Sequence, residues 1–177
     1  MTASRILVVD DEADIRGLLK EILSEEGYDV EIAADASQAR SSRAAQVPDL
    51  VLLDIWMPDT DGITLLREWS MTDGYDCPVV MMSGHGTVET AVEATRLGAF
   101  DFVEKPLSLT KLLRTVERAL DAGRRKRLSE RAQGSALALP IGKSKLTEIA
   151  ILDTAGHQRH RDITLDSIDA CPWWDES

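Results

Sequence analysis

"RILVVDDEADIRGLLKEILSEEG", residues 5–27, contains both halves of a repeating unit. "RILVVD" (5–10) is a continuous aliphatic run ending in an acid, the pattern of a strand covered on both faces. "EADIRGLLKEILSEEG" (12–27) places Ile15, Leu18, Leu19, Ile22 and Leu23 at helical spacing and stops at Gly27. At the junction, Asp10, Asp11 and Glu12 stand side by side. Like charges a few ångströms apart repel, more strongly where water is scarce. Either the acids are splayed into solvent, or something positive sits among them.

The same unit recurs along the chain. "YDVEIAA" (28–34) alternates like a strand and "ASQARSSRAAQ" (36–46) reads as a short helix. "PDLVLLD" (48–54) is a second fully apolar strand with an acid at its end, followed by the helical "DGITLLREWS" (61–70). "CPVVMMSG" (77–84) and "HGTVETAVEATRLG" (85–98) give the fourth strand and helix. "AFDFVEK" (99–105) is the fifth strand. "SLTKLLRTVERALDAGRRKRLSERA" (108–132) is a long helix with Gly123 as its expected weak point. Five β-α units in strict alternation imply an α/β fold: a five-stranded parallel sheet, doubly wound, with helices on both faces.

Open sheets of this kind gather functional groups outside the carboxyl ends of their strands. Asp10 and Asp11 end strand one, Asp54 ends strand three, Ser83 ends strand four and Lys105 ends strand five. Three carboxylates converging on one edge repel unless a cation binds. A hard, oxygen-loving cation suits them: Mg²⁺ keeps several waters and uses one or two carboxylates plus a phosphate. Lys105 is a point charge suited to a phosphoryl oxygen, and Ser83 can donate a hydrogen bond to another. A carboxylate can itself accept a phosphoryl group, and such transfer relies mainly on positioning and charge neutralisation. The expected chemistry is Mg²⁺-dependent phosphorylation of Asp54.

"VVDDE", "LVLLDIWMPDTDG", "VVMMSGHGTVETAVEA" and "DFVEKP" resemble the receiver domain of bacterial two-component response regulators. The resemblance covers residues 4 to 121 and implies a flavodoxin/CheY-like (βα)5 fold. It implies that Asp54 accepts phosphate from a sensor histidine kinase. Mg²⁺ would then be held by Asp10, Asp11, Asp54 and the backbone carbonyl of Trp56. Ser83 and Lys105 would bind the phosphoryl group, Phe102 would be the aromatic switch residue, and the bond before Pro106 would be cis. Residues 86–120 would form the output and homodimer face. Trp56 and His85 would tune access of hydrolytic water. Glu12 is assigned instead to the helix N-terminus, where negative charge is favoured.

A finer resemblance, carried by "DIWMPDTDGITLLREW", "SGHGTVETAVEATRLGAFDF" and "EKPLSLTKLL", is to nitrogen-regulation regulators of the NtrC/NtrX type. Members of that group continue through a linker into an AAA+ ATPase and a DNA-binding helix-turn-helix and control transcription. Too few residues follow position 121 to hold those domains. The expected division is therefore a receiver at 1–121, a helical linker at 122–139 and an unassigned tail at 140–177. The competing reading is a phosphatase or phosphotransferase with an aspartyl nucleophile on a similar sheet. Such enzymes carry a second acid two residues after the nucleophile, where this chain has Trp56.

Composition is consistent with a signalling module. The chain has 177 residues and a net charge of −11, which argues against direct DNA binding by the chain. It has no apolar run near the ~20 residues of a membrane span. Its start lacks a signal-peptide pattern, and Cys77 and Cys171 are too few for a disulfide framework, so a cytoplasmic location is expected. "RRKR" (124–127) reads as the solvated face of a signalling helix. The Gly-Lys-Ser at 142–144 fails as a phosphate-binding loop, because the required upstream glycine is Leu137. "ILDTAGHQRHRDIT" (151–164) resembles a GTPase switch segment but lacks the spacing and the guanine-reading motif. His157 and His160 alone are weak metal ligands.

Overall fold

The computed structural model describes residues 2–72 and 77–137. The Gly-Lys-Ser segment, the 151–164 segment, His157, His160 and the terminal "CPWWDES" lie outside the described residues. Five strands and five helices alternate along the chain: β1 (Arg5–Val9), α1 (Ala13–Glu25), β2 (Asp29–Ala33), α2 (Ala36–Ala45), β3 (Leu50–Asp54), α3 (Gly62–Ser70), β4 (Val79–Ser83), α4 (Val88–Arg96), β5 (Asp101–Glu104) and α5 (Leu109–Leu137). All pairings are parallel, in the order β2-β1-β3-β4-β5. The order reverses between β1 and β3, and their carboxyl ends carry Asp10 and Asp54.

The two-residue period of each strand divides the core into two layers. Leu7, Val9, Val51, Leu53, Val79 and Met81 face one side, against Ala36 and Ala39 of α2, Leu65, Leu66 and Trp69 of α3, and Ala94 of α4. Ile6, Val8, Leu50, Leu52, Val80, Met82 and Val103 face the other, against Leu19 and Leu23 of α1 and Leu112, Val116 and Ala119 of α5. The central strands β3 and β4 are buried throughout, which explains their unbroken apolar sequence. Burial of one such aliphatic side chain stabilises the fold by roughly 1.5–3 kcal/mol. Among the described residues no helix is long and apolar enough to cross a membrane.

Capping explains where the helices begin. Asp35 accepts from the Gln38 N–H at 2.8 Å and Asp61 from the Thr64 N–H at 2.8 Å, satisfying donors that have no intrahelical partner. α4 starts at Val88 rather than at residue 85, because Thr87 caps it through the Thr90 N–H. His85 and Gly86 therefore lie in a loop between Ser83 and the cap. α1 and α4 stop at Gly27 and Gly98, whose φ of 87° and 94° favour glycine.

The last helix is not interrupted at Gly123. α5 runs through it to Leu137, and a Cβ there would stand 3.1 Å from Cδ of Pro78, so the glycine lets helix and sheet edge approach. The basic run beyond it is only partly a solvated face. Arg127 ion-pairs with Asp49 at 3.0 Å, and Arg124 donates to Ser4 Oγ at 3.1 Å, fastening the start of the extension to the lower edge of the sheet.

Gly62 has a stricter role. Its N–H donates to the Ile55 carbonyl at 2.8 Å, and a Cβ would lie 2.1 Å from the backbone oxygen of Asp54. Backbone at the end of a central strand has little freedom to yield. Gly62→Ala should therefore cost about 1–3 kcal/mol, the range of overpacked cores. Urea unfolding measures this, and a loss below about 0.5 kcal/mol, the range of inert surface changes, would show that the contact is relieved cheaply.

Candidate functional site

Backbone register brings the strand ends together. The Asp10 N–H donates to Ala33 O at 3.1 Å, Ile55 N–H to Met82 O at 3.0 Å, and Lys105 N–H to Ser83 O at 2.7 Å. These bonds set Asp10, Asp54, Ser83 and Lys105 along one edge. Asp10 and Ser83 are fully buried and Asp54 is 3% exposed. Buried polar groups on this scale need partners.

The positive group among the acids is Lys105. Its Nζ stands 2.7 Å from Asp10 Oδ2, 3.1 Å from Glu12 Oε1 and 3.5 Å from Asp54 Oδ1. Burial alone would lower its pKa, but the adjacent carboxylates of Asp10 and Glu12 and the charge of Asp54 hold it above the ordinary lysine value. Asp54 is shifted the other way. Burial first, and then the charge of Asp10, push its carboxyl up to about 6, with Lys105 partly opposing.

Glu12 stands at the helix N-terminus as expected, and its side chain has a further partner. It occupies the N-cap position of α1, yet its side chain makes no capping hydrogen bond. Its carboxylate reaches Lys105, 93 positions away, instead. The mutual attraction of ammonium and carboxylate outweighs one backbone cap. Oxygens of Asp10, Asp11 and Glu12 approach within 4.8 Å of one another. That triplet includes Glu12, whereas Asp54 joins the acids through Lys105.

Fit to a divalent cation can be judged from one atom. Asp10 Oδ2 is fully buried and accepts no well-directed hydrogen bond, although Lys105 Nζ is nearby. Asp10 Oδ1 by contrast accepts from the Glu12 N–H at 2.9 Å. A buried carboxylate oxygen with lone pairs to spare, beside two further acids, suits a hard cation.

The remaining expected residues surround this edge. The Ser83 Oγ accepts from the His85 N–H at 3.2 Å. Trp56 follows the strand end and is 57% exposed. Phe102 packs partly buried against the α2–α3–α4 layer, and a Cβ on Gly86 would meet its Cζ at 2.4 Å, so the ring lies across that glycine. The Lys105–Pro106 bond is cis.

A family model describing the response regulator receiver domain matches residues 6–117. The chain belongs to that family. Its strand order and its acid, hydroxyl and lysine positions make it a receiver domain, and the aspartyl-nucleophile enzyme reading is not favoured. Over 149 residues, 82% of this chain, it is 42% identical to the nitrogen assimilation regulatory protein NtrX of Azorhizobium caulinodans. It spans 33% of that protein's length. A crystal structure of NtrX from Brucella abortus matches 74% of this chain and 30% of its own, at 46% identity and a TM-score of 0.68. A crystal structure of the NtrX receiver domain from Brucella abortus is covered over 98% of its length, at 49% identity and a TM-score of 0.62. The receiver is thus of the NtrX/NtrC type of response regulator.

Arg16 is a participant that strand-end reasoning misses. Its NH1 donates to the carbonyl oxygens of Asp10 at 2.7 Å and Asp11 at 2.9 Å. A signal for it existed. A cation near the N-terminus of a helix opposes the macrodipole, so Arg16 needed a local reason.

Proposed function

We propose that this receiver domain is phosphorylated on Asp54 by a sensor histidine kinase and acts as a cytoplasmic, Mg²⁺-dependent signalling switch without an external substrate. The observation that supports this most directly is Lys105, held within 3.5 Å of both Asp10 and Asp54 at the edge that also carries Ser83. A carboxylate oxygen of Asp54 attacks phosphorus, forming one P–O bond as the bond to the donor's leaving group breaks. The Lys105 ammonium neutralises charge on a phosphoryl oxygen and the Ser83 hydroxyl donates to another. Mg²⁺ would be held by Asp10, Asp11, Asp54 and the Trp56 carbonyl. When bound, it would supply neutralisation of the phosphoryl charge.

Ser83 moving toward the phosphoryl group would release the His85 N–H and shift the loop that carries Gly86. The ring of Phe102, packed on that glycine, would move with it. Val88 and Val92 on α4 are 77% and 44% exposed, which suits residues 86–120 to a regulated contact with a second copy. Residues 1–121 act as the receiver and 122–139 as its linker, helical as far as Leu137 among the described residues, with 140–177 unassigned. By the likeness to NtrX, the full-length relatives would regulate transcription of nitrogen-related genes. The decisive test is incubation with acetyl phosphate, with and without Mg²⁺, followed by intact mass. Uptake of one phosphoryl group only with Mg²⁺ is expected, and no uptake in either condition overturns the reading.

The lifetime of the phosphoryl group depends on Trp56 and His85. Trp56 is bulky and cannot orient a water as an amide or carboxylate could. Slow hydrolysis is therefore expected, accelerated severalfold by Trp56→Asn. The measurement is decay of the phosphorylated mass after removal of the donor. An unchanged rate in Trp56→Asn, with severalfold slowing in His85→Ala, would assign the water to the histidine.

A further inference from the structure

We propose that Arg16 is a positioning residue for the cation site, acting through the peptide between Asp11 and Glu12. The inference rests on the reading that Asp10 and Asp11 hold Mg²⁺. That peptide is bonded at both ends. Its carbonyl, on Asp11, accepts from Arg16 NH1 at 2.9 Å. Its N–H, on Glu12, donates to Asp10 Oδ1 at 2.9 Å. The preceding carbonyl, on Asp10, accepts from the same NH1 at 2.7 Å. Arg16 thus fixes the plane of the peptide, the peptide fixes one oxygen of Asp10, and the other oxygen is left toward Lys105 and the site. That second oxygen, Asp10 Oδ2, is the buried one without a well-directed donor. Because the guanidinium bonds carbonyls and not carboxylates, it organises the acids without occupying their ligand atoms. It also places a permanent positive charge in the first turns of α1, where the helix macrodipole disfavours it. The two charge-assisted bonds to the loop offset that cost.

Charge and positioning predict opposite signs, which makes the proposal testable. By Coulomb's law alone, removing a nearby positive charge strengthens binding of a cation. If Arg16 instead acts by orienting Asp10, removing it weakens binding, as loss of outer partners at metal sites does by about 10- to 100-fold. The experiment is a calorimetric Mg²⁺ titration of wild type, Arg16→Lys and Arg16→Ala. Amide exchange at Glu12 is measured in parallel on the metal-free proteins. Expected are a dissociation constant at least about tenfold weaker in Arg16→Ala, a smaller loss in Arg16→Lys, and faster exchange at Glu12 with core amides unchanged. Should Arg16→Ala fail to fold, Arg16→Lys carries the test, since its ammonium keeps the charge but not the guanidinium geometry. Equal or tighter Mg²⁺ binding by folded variants overturns the inference. Failure of wild type itself to bind Mg²⁺ would instead overturn the proposed function, while exchange at Glu12 still reports whether Arg16 holds the peptide.

Discussion

Asp54→Asn should take up no phosphoryl group from acetyl phosphate under conditions in which the wild type is modified to completion. The amide nitrogen and oxygen are poor nucleophiles toward phosphorus, and Asn cannot yield the acyl phosphate. The expected fall in rate exceeds about three orders of magnitude, as for removal of other covalent nucleophiles. The substitution should otherwise be mild. Asp54 is 3% exposed, and the amide occupies nearly the same volume while removing a charge that burial and Asp10 already disfavour. Asp11→Asn is the informative companion, because Asp11 is exposed and sits among the acids without ending β3. It should slow uptake at limiting Mg²⁺ and recover as Mg²⁺ rises. Uptake by Asp54→Asn at the wild-type rate would move the acceptor elsewhere, and peptide mapping would then locate it.

The contrast between Asp54 and Glu12 shows what can be read from the chain alone. Asp54 was legible because it ends an unbroken apolar run, "LVLLD", and a strand buried on both faces leaves its polar terminus only one place to go. The same logic placed Asp10, Ser83 and Lys105, and it gave the five-stranded parallel order of alternation. Glu12 was legible only in part: its place at the N-terminus of α1 could be read, but its partner is 93 residues away, and only the closed sheet shows that an ammonium lies within reach. Gly123 is a further case in which a distant neighbour matters. Intrinsic propensity predicts weakness in a helix interior, whereas the proximity of Pro78 gives the missing side chain a packing role there. Arg16 and Gly86 belong to the same class. Their roles arise from a backbone carbonyl and from an aromatic ring brought in by other elements, and no periodicity encodes either. Local pattern thus fixes which residues reach the edge, while tertiary contact decides what each one touches there.

The second large effect is the coupling of Mg²⁺, pH and stability. Burial, and then the charge of Asp10, push the Asp54 carboxyl up to about 6, from 3.8 for a solvated aspartate such as that of the unfolded chain. The folded state therefore holds a proton that the unfolded state has already released between about pH 4 and pH 6. Stability from this group is fully present below the lower value and is lost as pH rises through the higher one, by up to about 1.4 kcal/mol per unit. Other carboxylates act oppositely. Hydrogen bonds from Ser42 and Arg5 hold Glu31 below its ordinary value, so its contribution is lost as pH falls. The slope due to Asp54 is therefore isolated as the difference between wild type and Asp54→Asn. A bound divalent cation favours the ionised form and competes with the proton. At a hundred times its dissociation constant, Mg²⁺ should stabilise the wild type by about 2.7 kcal/mol, roughly 10 °C in Tm for a domain of this size. That gain should be largest above pH 7 and should fade below pH 6. Melting curves with Mg²⁺ or with a chelator, from pH 5 to pH 8, measure it. A gain that is independent of pH, or equally large in Asp54→Asn, would mean that the cation binds away from Asp54, at the exposed Asp11 and Glu12.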